Sequence, residues 1–371
     1  MPTSVGRFAV DTMAEMTPPV VATVSDGADP LARVTSPDVG EYCADGLDAA
    51  GLTAFFDRPI GEFDGADYQR AFRLDDGRVL WTFQDGFVGG SLVHNVGMVQ
   101  SGRCFTVLNE RRRSWLLADS TSHMTRWHWI LDGAMHADGS TFHLFVVEMT
   151  ETGSTYLARA RPTALRRVVL DASTLEVVDV IDDEIIDDDL FGWSVTSDAA
   201  FTYLYSHCFQ QFGHDTSFGV GDCAVDVKLA RVPRGSFEAP REYWAGEGWT
   251  DERDAAVPVV DGSFVLSGNN PAQVRFDGDR FVLIEKRDDW WGRTVEIGVA
   301  AAPEGPFQHV ASVDEPLKCD RARCNTYFAA WVPWRDPSGD HIWSIGHNRW
   351  DGRTAQHLEI YRPTFHAVAI D

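Results

Sequence analysis

Short apolar, aromatic-rich runs alternate along this chain with turns of Asp, Gly, Ser and Pro, and sustained helical periodicity is hard to find anywhere. The clearest unit lies within Asp64 to Asn95. There Leu74-Asp75-Asp76-Gly77-Arg78-Val79-Leu80-Trp81 sets turn residues between apolar runs, which predicts a β-hairpin. Comparable units follow at Ala137–Glu148, Ser197–His207, Phe276–Lys286 and Ser338–His347, with turns near Gly77, Gly139, Ala199, Gly278 and Gly339. Intervals of about 60 to 80 residues, each holding several short β-rich segments, fit four-stranded blades. The expected fold is all-β, a five-bladed β-propeller over residues 56–371, preceded by an irregular arm over 1–55. Pro19 to Val24 could supply one strand from that arm. His357-Leu358-Glu359-Ile360-Tyr361 reads as the last strand, with the fifth blade closed by a strand from the other end of the chain.

The segment before each turn should form the strand nearest the axis: Asp64–Phe72, Arg126–Leu131, Phe191–Thr196, Asn269–Phe276 and Asn325–Val332. These segments carry Asp64 and Asp67, then Trp127, His128 and Trp129, then Trp193 and Ser194, then Asn269 and Asn270, then Asn325 and Tyr327. A mouth lined by Asp, His, Asn and Trp suits a polyhydroxylated or polar aromatic ligand. Each residue also has an ordinary reading. The tryptophans can be wedges between blades, His128 and His207 satisfied structural histidines, and Asn269-Asn270 before Pro271 a turn. His347 and Asn348 end the fifth hairpin where Asp85 ends the first.

Asp64 and Asp67 precede the first hairpin and Asp85 ends it, so these carboxylates can return to one neighbourhood. Turn and cap roles are the alternative, since Asp satisfies nearby backbone donors. The acidic run from Asp182 to Asp189 reads as a solvated loop; a calcium site is the minority reading, because the spaced ligands and Gly of an EF-hand are missing.

With 371 residues, 44% apolar, 13 Trp and 22 Phe, the chain can bury a large core. A formal charge of −24 argues against nucleic acid and anionic lipid as partners. No apolar run approaches the roughly 20 residues of a membrane span. The opening residues lack a charged start followed by an apolar block, so the expectation is a cytoplasmic protein. The six cysteines form no CxxC pair, arguing against a zinc cluster and for buried free thiols. Cys319 and Cys324 bracket DRAR and could close a small loop in an oxidising compartment. No nucleotide, flavin or haem motif is found, and no organic cofactor is expected. An axial structural cation stays open through His128, His207 and His347.

The DG element followed by LDDGRVLWTFQD and then His94-Asn95 resembles a bacterial family of five-bladed propellers, long described as of unknown function, whose members include endo-D-arabinanases. Weaker likeness continues through Phe191-Gly192-Trp193, Ala302–Phe307 and Ser344–Asn348, covering about residues 60 to 365. The resemblance places Asp64 and Asp85 at the acidic positions of the two motifs and Asn95 at a later Asn. Gln84-Asp85-Gly86 departs from that family's usual GDT, and Asp67-Tyr68 stands where Ser often follows DG. The implied activity is glycoside hydrolysis, with Asp64 as base or nucleophile, Asp85 as acid, or the reverse, and Asp67 or Glu148 as a third carboxyl. Two alternatives remain: a cytoplasmic biosynthetic cyclase, lyase or isomerase using the same mouth, and a carbohydrate-binding propeller without catalysis. Oligomeric state is not legible.

Overall fold

A computed structural model describes residues 40–116, 126–151, 160–183, 189–207, 227–259, 272–287, 292–349 and 351–370, with 151, 160, 161 and 327 described by backbone alone. Its strands form antiparallel sheets, five large and one small. In spatial order the first holds Tyr42–Cys43, Cys104–Val107, Val96–Ser101, Val79–Phe83 and Arg70–Arg73. The second holds Val177–Asp183, Ala160–Asp171, Thr141–Glu151 and Arg126–Met135. The third runs Ser194–Ser197, Phe201–Tyr205, Leu229–Pro233, Glu242–Trp244 and Trp249–Thr250. The fourth runs Gln273–Phe276, Phe281–Lys286, Thr294–Ala300 and Gln308–Asp314; the fifth, Cys324–Arg335, His341–Arg349 and Thr364–Val368. The small sheet pairs Phe63–Ala66, Gly86–Val88 and Ser91–Val93.

The strands Arg70–Arg73, Arg126–Met135, Ser194–Ser197, Gln273–Phe276 and Cys324–Arg335 each touch their counterparts in both neighbouring sheets, closing a ring. All five expected turns join this inner strand to the second strand of its sheet. Gly77, Gly139, Gly278 and Gly339 have φ of 87°, 72°, 108° and 93°, the left-handed conformation that glycine adopts without a Cβ penalty. Period-two alternation then sends opposite faces of each sheet into different cores. Phe145 and Val147 pack against the third sheet with Leu204 and Ala230, whereas Leu144 and Val146 pack against the first with Phe72 and Leu80. Similar clusters join the third to the fourth sheet and the fourth to the fifth.

Among the described residues, the seam between first and fifth sheets is closed by a helix. Ala49–Phe56 starts at Asp48, whose Oδ1 accepts from Gly51 N at 2.7 Å, and it buries Leu52, Phe55 and Phe56. Thr53 Oγ1 accepts from Phe365 N at 2.9 Å, binding the helix to the last strand. Two expectations are thereby corrected. The irregular arm cannot extend to 55, because the helix and the strand Tyr42–Cys43 are built into the fold. The final strand is Thr364–Val368, whereas residues 357–361 make tight turns closed by Ile360 N to His357 O and Tyr361 N to Leu358 O. Among the described residues, the fifth sheet takes no strand from the other end of the chain. Pro19 to Val24 lies outside the described residues.

The thiols are also corrected. Cys43 and Cys104 occupy directly opposed positions in paired strands and form a disulfide, and Cys319 is bridged to Cys324 across the turn before the fifth inner strand. Cys208 and Cys223 lie outside the described residues. No helix among the described residues is long and apolar enough to cross a membrane.

Candidate active site

The first sheet and the small sheet meet at Asp67 and Asp85. Asp67 N donates to Asp85 O at 2.9 Å, Gln84 N to Asp67 O at 3.1 Å, and Asp85 N to Asp67 Oδ1 at 2.9 Å. Tyr361 Oη donates to the other oxygen, Oδ2. Asp67 is therefore buried with both oxygens engaged, a residue that ties the end of the first hairpin to the C-terminal segment. Gly65 makes this possible, since a Cβ there would collide with the Tyr361 carbonyl.

Asp85 is more open. Its Oδ1 accepts from Trp129 Nε1 at 2.8 Å and lies 2.9 Å from His94 Nδ1, while the side chain stays 15% exposed. His94 stacks on Trp127 with centroids 5.2 Å apart at 27°, and Trp127 meets Trp129 edge-on at 5.9 Å. Tyr68 stacks on Phe328 at 4.9 Å and faces the edge of Trp193 at 6.4 Å. Tyr68 and Phe328 both have φ of 49°, a sparsely populated conformation for aromatic residues that local packing must hold. Trp129 and His94 thus lie beside one partly exposed carboxylate, and Tyr68, Phe328 and Trp193 form a second aromatic group.

Asp64 sits at a register shift of the small sheet, half-buried, with Oδ2 accepting from Gly90 N at 3.1 Å and its carbonyl accepting from Arg362 Nε at 2.7 Å. Asn95 is fully buried; Nδ2 donates to the Leu116 and His128 carbonyls at 3.0 and 3.2 Å, and Oδ1 accepts from Leu116 N at 2.7 Å. It fixes the peptide beside His94. Trp127 is buried in the core between second and third sheets.

Glu148 lies cross-strand from His128. Its Oε2 accepts from Arg126 at 2.6 Å, and Oε1 accepts from Thr163 Oγ1 at 3.0 Å. His128 Nε2 is 3.4 Å from Oε2, an electrostatic contact beyond good hydrogen-bond length. Burial raises the Glu148 carboxyl, but His128, Arg126 and Thr163 outweigh it and hold it down at about 2. Burial lowers His128, against the raising effect of Glu148. Glu148 is thus held as an anion.

The axis below the mouth holds Arg70, fully buried, whose Nη2 donates to Trp193 O at 3.1 Å while the guanidinium lies 4.3 Å from the Phe328 ring centroid. Asp132 Oδ2 is 3.9 Å from Arg70 Nε. Burial lowers Arg70 to about 10 and raises Asp132 to about 6, each partly opposed by the other. His207 packs on Trp193 at 4.2 Å, and burial followed by repulsion from Arg70 lowers it to about 3.

The three histidines considered for an axial cation do not form a set. His128 faces Glu148 and His207 lies within reach of the Arg70 charge. His347 Nε2 is 3.1 Å from Glu315 Oε1 and 2.9 Å from Thr364 Oγ1. Among the described residues no group of three or more His, Cys, Asp or Glu could hold a metal ion. The acidic run is also split: Asp182 is exposed, but Asp189 is buried with its Oδ2 2.8 Å from Lys228 Nζ. Asp189 is therefore an ion-pair partner, not a solvated loop residue. Asn325 is buried at the start of the fifth inner strand, and Asn348 is half-buried on its neighbour. Asn269 and Asn270 lie outside the described residues, as does the Tyr327 side chain.

Sequence reasoning passed over His94, Tyr68, Phe328, Tyr361 and Arg70 as site residues. Only His94 had a signal, its place in the His94-Asn95 pair after the acidic hairpin. Tyr361 reaches Asp67 from 294 positions away, which no local pattern encodes.

Over residues 50–369 the sequence matches the family described as Domain of unknown function (DUF5005). The chain belongs to that family. No curated protein matches it. A candidate hydrolase from Bacteroides ovatus ATCC 8483 superposes on this DUF5005 chain with a TM-score of 0.66 at 18% identity, covering 85% of this chain and 89% of the other. At that identity the likeness shows a common fold. More distant matches include a GH43_1 enzyme from Xanthomonas citri complexed with xylotriose, with TM-score 0.47, 12% identity and coverage of 84% and 89%. An endo-arabinase from Bacteroides thetaiotaomicron VPI-5482 matches with TM-score 0.45, 10% identity and coverage of 83% and 95%.

Proposed function

We propose that this protein is a glycoside hydrolase-like enzyme that takes a glycan, in the first instance a furanoside, at the mouth of a single five-bladed propeller. The ringed sheets are its blades, the small sheet an elaboration of the first, and the domain runs from about residue 40. The carrying observation is Asp85, the carboxylate at the mouth with one oxygen fixed by Trp129 and His94. The half-buried Trp129 beside it offers a flat apolar face of the kind that sugar rings pack against.

Glycoside hydrolysis needs an acid at the leaving oxygen and a base or nucleophile at the anomeric carbon. Asp85 belongs to the acid half and Asp64 to the base half in this assignment. Asp67 positions Asp85 through its backbone, and Glu148 is a fixed negative charge on the adjoining sheet. Trp127, His128, Trp193, Asn269, Asn270, Tyr327, His347 and Asn348 remain proposed contributors to the mouth. Disulfides persist in oxidising surroundings, so the Cys43–Cys104 and Cys319–Cys324 bridges favour a compartment outside the reducing cytosol over the cytoplasmic expectation. Nothing in the site favours the cyclase or lyase alternative.

The test is Asp85→Asn assayed against aryl furanosides beside the parent protein. Losing a catalytic carboxylate should cost on the order of 10² to 10⁴ in turnover at an unchanged melting temperature. Full activity in the variant would remove Asp85 from the chemistry, and inertness of the parent toward every furanoside would remove the substrate class.

A further inference from the structure

Asp85 does not stand alone. His94 enters the site from the turn between Ser91–Val93 and Val96–Ser101, with its backbone N held by Ser114 Oγ at 3.1 Å and its ring laid on Trp127. Indole Nε1 can only donate, so Trp129 uses Asp85 Oδ1 as an acceptor. With Nδ1 only 2.9 Å from the same oxygen, the ring carries its hydrogen on Nδ1 and presents a lone pair at Nε2. Among the described residues Nε2 has no partner, and it is not among the polar atoms sealed from solvent. A carboxylate that fixes the tautomer and orientation of an imidazole whose far nitrogen faces outward is the arrangement of a proton-transferring dyad.

A proton brought to this pair has two free basic atoms to choose from without breaking a hydrogen bond, Asp85 Oδ2 and His94 Nε2. Two donors already converge on Asp85 Oδ1, the arrangement of a carboxylate anion, which leaves Nε2 to take the proton. Of the other described carboxyls proposed for the site, Asp64 is assigned to the base half, Glu148 is held as an anion, and both oxygens of Asp67 are occupied. The charged groups around the dyad are Asp67 with Tyr361 on one side and the Arg126–Glu148–His128 cluster on the adjoining strand. Arg113 with Glu110 lies on the turn that supplies Ser114.

We infer that His94, not Asp85, carries the proton delivered by the acid half of the site, with Asp85 as its positioning partner. This inference rests on the glycoside hydrolase reading. In the step, Nε2–H gives its proton to the leaving oxygen as the bond from that oxygen to the anomeric carbon breaks, while a water that gives its proton to Asp64 forms the new bond to that carbon. His94 is left neutral with hydrogen on Nδ1, Asp85 stays an anion throughout, and the proton taken up by Asp64 returns to Nε2 through solvent.

Two measurements test it on the full-length protein. The first needs no substrate: the His94 ring and the Trp129 indole N–H are followed by NMR across pH 4 to 9. The expected result is one shared midpoint in both signals, absent from the indole signal of His94→Asn, which retains a donor near Nδ1 but cannot titrate. An indole signal that titrates unchanged in His94→Asn overturns the inference. The second uses aryl furanosides. His94→Asn should lose at least 10²-fold in kcat on a phenyl leaving group but under 10-fold on dinitrophenyl, which departs without protonation. Equal losses on both, or none, would also overturn it. If the NMR coupling is found while no glycoside is turned over, the glycoside reading fails on its own, and with it the donor step assigned to His94.

Discussion

Asp132 permits a quantitative test of the axial packing beneath the mouth. Its Oδ1 accepts from Gly133 N at 2.8 Å, and its Oδ2 from Val195 N at 3.1 Å and Gln273 Nε2 at 3.5 Å. Burial nevertheless dominates, and the carboxyl rises to about 6 despite Arg70. A carboxyl that binds its proton more tightly folded than unfolded favours the fold at low pH, and that contribution is lost as pH climbs from about 4 to about 6. With an unfolded value near 3.9, the loss between pH 4 and pH 7.5 amounts to about 2 to 3 kcal/mol. Asp132→Asn cannot titrate and should lack this component. Urea unfolding of parent and variant at both pH values isolates it, because every other titrating group cancels in the difference. The expected result is a parent advantage about 2 to 3 kcal/mol smaller at pH 7.5 than at pH 4. A difference independent of pH would refute the claim that Asp132 is buried against its charge.

Glu315 has the opposite sign: burial raises it, but His347, His366 and Thr364 bring it down to about 2. Its stabilising contribution is present above its ordinary value and lost as pH falls through about 2, so Glu315→Gln should lower the melting temperature at pH 7 and much less at pH 2. Tyr361→Phe leaves Asp67 Oδ2 without its donor and should cost about 1 to 3 kcal/mol in urea unfolding. Cys43 and Cys104 are 61 positions apart, and opening a loop of that length costs about 4 kcal/mol by chain entropy. Cys43→Ser with Cys104→Ser should therefore melt well below the parent, and equal melting would show the bridge to be incidental.

Local chemistry made much of the fold readable. Polar turns, Asp-Gly in three of the five, and the aromatic strands after them marked every inner hairpin, because turn residues and period-two patterning act over a few positions. The closing seam was not readable: the helix Ala49–Phe56 is brief, and its sense depends on a strand more than three hundred positions later. The site divided in the same way. Asp67 and Asp85 were found through the hairpin between them, whereas the hydrogen bonds that separate a buried strut from an open carboxylate come from Tyr361, Trp129 and His94. The Cys43–Cys104 disulfide was missed because spacing does not reveal that two cysteines face each other across paired strands, whereas Cys319 and Cys324 were close enough in sequence to suggest a small loop.

The seam carries more than the last sheet contact. Arg362 clasps the carbonyls of Asp57 and Asp64, and Tyr361 holds Asp67, so the strut behind Asp85 spans the joint between the two ends of the ring. A chain with four interfaces packed and the joint still open would have most of its core but no ordered mouth. Assembly of the site and completion of the circle are one event, and a ligand that grips the mouth would act as a clasp on the whole ring. Partly folded molecules would then be inert rather than weakly active, and escape from the closed ring would begin at the same residues proposed for its chemistry.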